Sequence, residues 1–462
     1  MRYSTLIFPF AFLVATTQAQ TVSTFQLKDY KYRYQRYQGL NINGSFKENA
    51  SKSQYNNGNA FGGINGTVNY FRVNSSDKYQ RSLYIDGNID FAYEPQNLNG
   101  TLSRSVKALK LNPAIRITSN NRKFGKGLRF TEVNGQLTFN NNSINTVKMV
   151  TAASGEQFSN YQEQDLISSA HLSIGVGRGR LEYVTDAAQA MFMLQDLQKK
   201  GCLTREPNEN DILVLSRTLT QMRNFRFFDS RMKMIRQLER IDSSLQSLGL
   251  IHKVDVKYFS TINDNWFFAR TDIRYSGQQW AARIYANYSN NYSGRSFNTR
   301  QTNLTLPSDS IYNNFFSTPA TGLQLQYIRA KPTSLNWQNY CEFNIWGGAG
   351  MNMIHNTLRG YNQEVFKELN VSLSGSRMYI PSTRTLWEAG YTLMAQSRQN
   401  GNLKIVPRFD AGVYANIRHW LSPRLQATAR FTVSNTSFAN TNNVNAYNIK
   451  QALSGGFVYY MY

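Results

Sequence analysis

The sequence predicts an all-β transmembrane antiparallel β-barrel of about 16 strands, between roughly 14 and 18, carrying a three-helix insertion. Three observations point there. Aromatic residues make up 13 % of the chain, with 28 Tyr and 28 Phe, yet mean hydropathy is −0.49. Aromatic girdles outside and a polar interior produce both values together. Many segments alternate apolar and polar residues, the period of a strand with one wet face. Beyond the N-terminus, no apolar run reaches the roughly 18 residues a spanning helix needs.

Taken in order, MRYSTLIFPFAFLVATTQAQ has a basic start, a short apolar run from Leu6 to Val14 and the small-residue site Thr17-Gln18-Ala19. This is the pattern of a secretory signal peptide, 1–19. Residues 20–37 contain KDYKYRYQRYQ, without clear period, and read as a periplasmic N-terminal segment. Strands are expected near 38–48, 60–70, 82–93, 104–118, 126–141 and 169–184, forming the first part of the barrel (38–184). In the third, Leu83, Ile85, Ile89, Phe91 and Tyr93 share one face and Asp86, Asn88 and Asp90 the other. In the sixth, Leu172, Ile174 and Val176 point outward, and His171, Ser173, Gly175 and Gly177 inward.

At 185–250 the period changes to that of helices. Ala187, Met191, Leu194 and Leu197 form a first stripe, capped by Thr185 or Asp186 and ended by Gly201. Ile212, Leu215, Leu219 and Met222 form a second. Met232, Ile235, Leu238, Ile241 and Leu245, capped by Asp229, form a third. Arg223, Arg226, Arg231, Arg236 and Arg240 give this insert a basic side, read either as solvated surface or as docking for a periplasmic protein. Glycines 175, 177 and 179 just before it would leave room for a helix to approach.

The second part of the barrel (251–462) resumes with strands near 251–262, 266–275, 279–289, 322–331, 335–347, 364–378, 384–397, 403–418 and 424–435, and a last one at 454–462. Trp280, Ala282, Ile284, Ala286 and Tyr288 face lipid, as do Leu403, Ile405, Phe409, Ala411, Val413, Ala415 and Ile417. Connections after odd strands are long (142–167, 290–321, 348–363, 436–449), and those after even strands are short. The insert follows the sixth strand, which places it on the short-turn, periplasmic side.

The net charge is +23, but no basic cluster or recognition helix suggests nucleic acid. Arg270, Arg274, Arg283, Lys404, Arg408, Arg418 and Arg430 are candidate lumen residues, against Asp272 and Asp410. A basic lumen lowers the barrier for anions, while the same charges can serve as an internal salt-bridge network. Cys202 and Cys341 lack metal spacing and read as two unrelated thiols. No cofactor motif is present.

The last strand, SGGFVYYMY, sets Gly456, Val458, Tyr460 and Tyr462 on one face and ends on an aromatic. It resembles the C-terminal β-signal of Gram-negative outer-membrane proteins, and the mature chain resembles their porin-like barrels. The resemblance implies residence in the bacterial outer membrane, contact with its lipid and lipopolysaccharide, and recognition of the last strand by the barrel assembly machinery. The leading expectation is a pore for small polar or anionic solutes, gated or plugged by the insert, and not an enzyme. The alternative is a structural or assembly barrel whose insert docks periplasmic proteins. A third reading uses His171 and Ser173. Some outer-membrane lipid hydrolases carry a His-x-Ser pair on a strand, but there Asn follows Ser, whereas Ile174 stands here, and their pair faces lipid. Such a pair also needs a third, orienting group.

Overall fold

The computed structural model describes residues 25–53, 56–98, 103–152, 155–224, 230–268, 274–301, 308–357, 360–401, 406–422, 425–439 and 445–459. The expected signal peptide therefore lies outside the described residues. The strands are β1 (Gln35–Ser53), β2 (Asn56–Ser75), β3 (Tyr79–Leu98), β4 (Ser103–Phe124), β5 (Arg129–Ala152) and β6 (Gly155–Tyr183), then β7 (Tyr275–Gln301), β8 (Ser308–Pro332), β9 (Trp337–Asn356), β10 (Gly360–Ser382), β11 (Thr385–Asn400), β12 (Val406–Ser422), β13 (Leu425–Ala439) and β14 (Asn445–Tyr459). They form one 14-stranded sheet in strict chain order, and each neighbouring pair is antiparallel.

Alternation decides which face meets lipid. Ile174, Ile284 and Leu323 expose 60, 64 and 65 % of their surface, and Val68, Ile89, Leu137, Leu369 and Val413 lie on the same outward face. An exposed apolar belt of this extent has no place in water. No helix among the described residues is long and apolar enough to cross a membrane. The architecture is that of an outer-membrane β-barrel.

Among the described residues between β6 and β7 stand four helices, α1 (Thr185–Lys199), α2 (Glu209–Asn224), α3 (Ser230–Ser247) and α4 (Val256–Phe268). The sequence predicts three helices ending at 250, with strands at 251–262 and 266–275. Residues 256–262 and 266–268 of those two segments instead belong to α4, and the sheet has 14 strands among the described residues rather than 16. In α4, Tyr258, Ile262 and Trp266 recur every four residues and are all fully buried. Asp255 caps the helix by accepting from the Tyr258 N–H at 3.0 Å. A short apolar run with β-branched residues fits either period, and the cap together with the buried stripe decides for helix.

The expected long loops are also different. Residues 142–152 and 155–167 belong to β5 and β6, and 290–301 and 308–321 to β7 and β8. These strands run far beyond the roughly ten residues that span a bilayer. Both faces are then wet, the period-2 signal fades, and only the ladder keeps them extended.

The helices show why the sheet curls. Packing of α2 reaches β1, while the Phe268 ring at the end of α4 lies 6.3 Å from Trp420 on β12. In a flat sheet, eleven strand intervals of about 4.8 Å would hold β1 and β12 some 50 Å apart. One small helical unit touches both, so the wall bends around it.

The unit's core gathers Val184, Leu194, Leu215, Leu219, Ile241, Leu245 and Trp266 with Phe25, Leu27 and Tyr30 of the N-terminal segment. Leu335 of the β8–β9 turn and Ile380 and Leu386 around the β10–β11 turn join the same cluster. Within the expected N-terminal segment (20–37), Phe25, Leu27 and Tyr30 thus belong to this core. From Thr185 to Leu194 every residue of α1 is buried, as befits a helix surrounded on all sides. Neither Thr185 nor Asp186 caps it: Val184 is the cap position and makes no side-chain cap bond. Thr185 Oγ1 instead accepts from the Arg274 N–H at 2.8 Å. On α3, Ile235 is 42 % exposed, although the stripe placed it inside; Gln237 takes the buried position. Met232's side chain and Asp229 lie outside the described residues.

Asn208 and Asp211 form a reciprocal cap on α2. Asn208 Oδ1 accepts from the Asp211 N–H at 3.0 Å, and Asp211 Oδ2 from the Asn208 N–H at 2.8 Å. Arg205 adds a two-pronged contact to the same carboxylate at 2.6 and 2.9 Å. Burial by itself would raise the Asp211 carboxyl, but the Arg205 guanidinium and the Asn208 N–H outweigh it and hold it below the usual range. A depressed carboxyl stabilises the fold above its unfolded pKa near 4, and this stabilisation is lost as pH falls through the folded value. Helical circular dichroism of the insert should therefore weaken in acid below about pH 4. Asn208→Ala should cost about 1 kcal/mol at neutral pH, read as a lower melting temperature of the helical signal.

In the C-terminal strand, Leu453 and Gly455 pair with Phe431 and Ala429 on the outward row, and Gly456 with Thr428 on the inward row. Tyr460 and Tyr462 lie outside the described residues.

Candidate functional site

The lumen rows place a polar chamber directly above the helical unit. Its centre is a carboxylate, Glu132 on β5, whose side chain is fully buried. Arg122 Nε on β4 donates to Glu132 Oε2 at 2.8 Å, and Arg283 Nε on β7 donates to Oε1 at 2.6 Å. Arg283 also donates to Gln324 (3.2 Å) and Gln326 (2.7 Å) of β8. Gln326 then donates to Glu342 of β9 at 2.7 Å, which also accepts from the Tyr340 hydroxyl at 2.8 Å. The chain of contacts crosses β4 to β9 and balances two cations with two carboxylates. Burying such a set is tolerable because Arg122 and Arg283 both pair with Glu132 and Glu342 accepts two neutral hydrogen bonds.

This network borders a cavity of about 430 Å³ lined by Gln80, Ser82, Tyr84, Asn120, Gln136, His171, Tyr183 and Tyr275, among others. A second cavity of about 360 Å³, lined by Gln338, Tyr340, Ser376, Glu388 and Tyr414, shares Tyr275 with the first. The Tyr183 and Tyr275 rings lie 5.0 Å apart, just above the point where β6 enters α1.

Backbone conformation shapes this end of the wall. Gly179 (φ +102°) and Gly277 (φ +124°) lie on the paired strands β6 and β7. A Cβ on either would sit 2.2 Å from a carbonyl of the opposite strand. Both φ values are in the region that side chains avoid. Past Gly179 the alternation shifts, and Arg180 takes the buried side. It donates to Ser75 Oγ at 3.0 Å and to the Ser76 carbonyl at 2.7 Å, stitching β6 to the β2–β3 turn. The space over Gly175 and Gly177 is filled by the β7 backbone, Arg283 and the Phe130 ring, not by a helix as their pattern suggested.

The predicted lumen cations separate into distinct groups. Arg283 is in the chamber but belongs to Glu132. Arg408 pairs with Asp410 at 2.8 Å. Arg430 lies over the Tyr414 ring at 5.4 Å, on the inward row with Arg418. Arg274 is not a lumen residue. It precedes β7 and holds the β8–β9 turn, donating to Gln338 Oε1 at 3.1 Å and to the Leu335 and Ser334 carbonyls. Arg270 and Lys404 lie outside the described residues.

The predicted docking arginines divide too. Arg223 is an internal tie rather than surface: it pairs with buried Asp186 at 3.0 Å, bonds Gln189 and lies over the Trp266 ring at 5.9 Å. Arg236 and Arg240 are exposed on α3. Arg226 and the side chain of Arg231 lie outside the described residues. Cys202 and Cys341 are both free thiols, and burial pushes the Cys202 thiol up.

His171 and Ser173 face the lumen, as alternation required. His171 Nδ1 bonds the Asn287 side chain, and its ring stacks at 6.0 Å on Tyr285. Ser173 Oγ accepts from Asn134 Nδ2 at 3.4 Å. Sequence reasoning did not reach Glu132, Tyr183, Tyr275 or Gln324. Glu132 carried one usable signal, a carboxylate on an inward row, but its neighbours are set by register.

No protein-family model matches the chain, and no curated protein matches it. Among solved structures, the chain is similar to the β domain of the Bordetella autotransporter BrkA, with 11 % identity, 84 % of this chain and 100 % of that chain covered, and a TM-score of 0.24. It is also similar to the Pseudomonas putida toluene transporter TodX, with 8 % identity, 93 and 90 % coverage and a TM-score of 0.25. The translocator domain of the autotransporter NalP from Neisseria meningitidis matches with 7 % identity, 94 and 91 % coverage and a TM-score of 0.23. Superpositions this loose add no weight; the architecture stands on the meander, its apolar belt and the curvature around the helices.

Proposed function

We propose that this barrel is a channel for small polar solutes, closed at its periplasmic end by the helical unit. The observation that carries the reading is the placement of a polar chamber immediately above a helical unit whose two chain connections lie side by side. The cap joins the wall where the Val184 N–H bonds the Arg274 carbonyl at 3.0 Å, so both of its chain connections run side by side. Around the rim it is held by separable contacts, among them Arg384–Asp264 at 2.8 Å, with both side chains partly exposed, and Phe268 against Trp420. The unit also buries Leu335, Ile380 and Leu386 of the strand turns in its own core, so opening has to part that seam while the paired chain connections act as the hinge.

Single-channel recording in planar bilayers tests this. The intact protein should give small, intermittent currents. A variant lacking 187–271, with the ends joined by a short glycine linker, should give large, steady ones. Asp264→Arg repels Arg384 without removing the cap and should raise the open fraction several-fold, since an exposed pair is worth roughly 0.2–1 kcal/mol. Equal conductance in all three proteins would remove the cap from the mechanism, and silence in all three would end the channel reading.

A further inference from the structure

We infer that the chamber is a binding site for neutral saccharides of more than one unit, an inference that rests on the channel reading and names its solute. Charge is the first ground. Arg122 and Arg283 are matched by Glu132 and Glu342 within one hydrogen-bonded set. An anion bound there would compete with an internal carboxylate already in place. Arg81 borders the same cavity but stands on the outward row with Asn121 and Val133, its guanidinium over the Tyr79 ring at 4.8 Å, so its charge is directed away from the lumen.

The second ground is the kind of polar group on offer. Gln80, Gln136, Gln324 and Asn120 line the cavity, and a carboxamide both donates and accepts. A sugar hydroxyl does the same, so amides match hydroxyls in either orientation. Asn134 Oδ1 is buried at this cavity and has no hydrogen-bond partner, while its Nδ2 is committed to Ser173. A buried acceptor left open costs free energy until a donor arrives. An apolar solute would leave Asn134 Oδ1 without a donor, which weighs against hydrocarbons on the same ground.

The third ground is shape. Tyr84, Tyr183 and Tyr275 line the cavity together with the amides, and the C–H faces of pyranose rings pack on aromatic side chains. Tyrosine joins an apolar body to a polar tip and so suits a ligand with both characters. Two cavities of about 430 and 360 Å³ meet at Tyr275. Each is of the size that encloses a small molecule, and their adjacency suits an elongated ligand rather than a single ring.

The test is isothermal titration calorimetry on the full-length protein in detergent, with maltotriose, cellotriose and xylotriose as neutral probes and citrate as the anion, alongside bilayer recordings. At least one trisaccharide should bind saturably, with little dependence on salt, and citrate should not. Tyr84→Leu and Gln136→Leu, which lie outside the Arg–Glu set, should each weaken that binding about tenfold while the heat-modifiable folded band on gels stays unchanged. Binding of citrate alone, or trisaccharide binding indifferent to both substitutions, overturns the inference. Currents without any trisaccharide binding would sink the saccharide site and leave the channel standing. Binding without currents in the cap-deleted protein would do the reverse.

Discussion

Glu132→Leu should lower barrel stability by about 3–5 kcal/mol, because it leaves the Arg122 and Arg283 charges facing each other in a buried site. Urea unfolding in detergent, followed by the loss of the heat-modifiable folded band, measures it. The cost arises from the stranded cations more than from the lost contact. Glu132→Gln, which keeps an acceptor, should therefore be milder, and Glu132→Leu combined with Arg283→Met should recover much of the loss. An unfolding midpoint for Glu132→Leu equal to that of the parent protein would show that the cluster does not hold the wall together.

Trp266→Ala should cost the helical cap about 3–5 kcal/mol, the usual range for emptying a buried aromatic site. Trp266 is fully buried, its Nε1 donates to Gln237 Oε1 at 3.0 Å, and Gln237 in turn donates to the Met222 carbonyl at 3.2 Å. Removing the indole opens a cavity and takes away one bond of a buried amide. The cap has its own core, so it should loosen without the barrel. Limited proteolysis should cut within 185–268 in the variant, while the folded band survives. A cap as protease-resistant as the parent's would mean that the rim contacts, rather than its own core, keep it folded.

The two predictions fall on parts of the protein that were unequally legible. The lipid face was readable residue by residue: Ile174, Ile284 and Val413 lie where alternation puts them, because lipid on one side and water on the other impose a period of 2. The inward direction of His171, Ser173 and Arg283 followed from the same rule. The helical stripes of α1 and α2 were equally clear, since Leu194, Leu215 and Leu219 repeat at helical spacing over several turns. Reading failed where the environment was the same on both faces. The extensions of β5 to β8 are wet on each side and carry no alternation. Residues 254–268 are short and apolar enough to suit either period, and this added two strands to the count.

What the sequence determined by itself, then, was the class of the wall, its lipid face and the insertion of helices after the sixth strand. Solvent sets these one residue at a time. Only the tertiary structure decided what the charges do. Arg283 lies next to Glu132 because β5 and β7 flank β6 in a fixed register, though 151 residues separate the two. Arg223, basic and at the end of a helix, reads as surface until Asp186 and Trp266 close around it. Arg274 reads as lumen until the β8–β9 turn arrives beneath it. A residue's face depends on its immediate neighbours in the chain, but the partner of a charge depends on which distant segment the fold brings alongside.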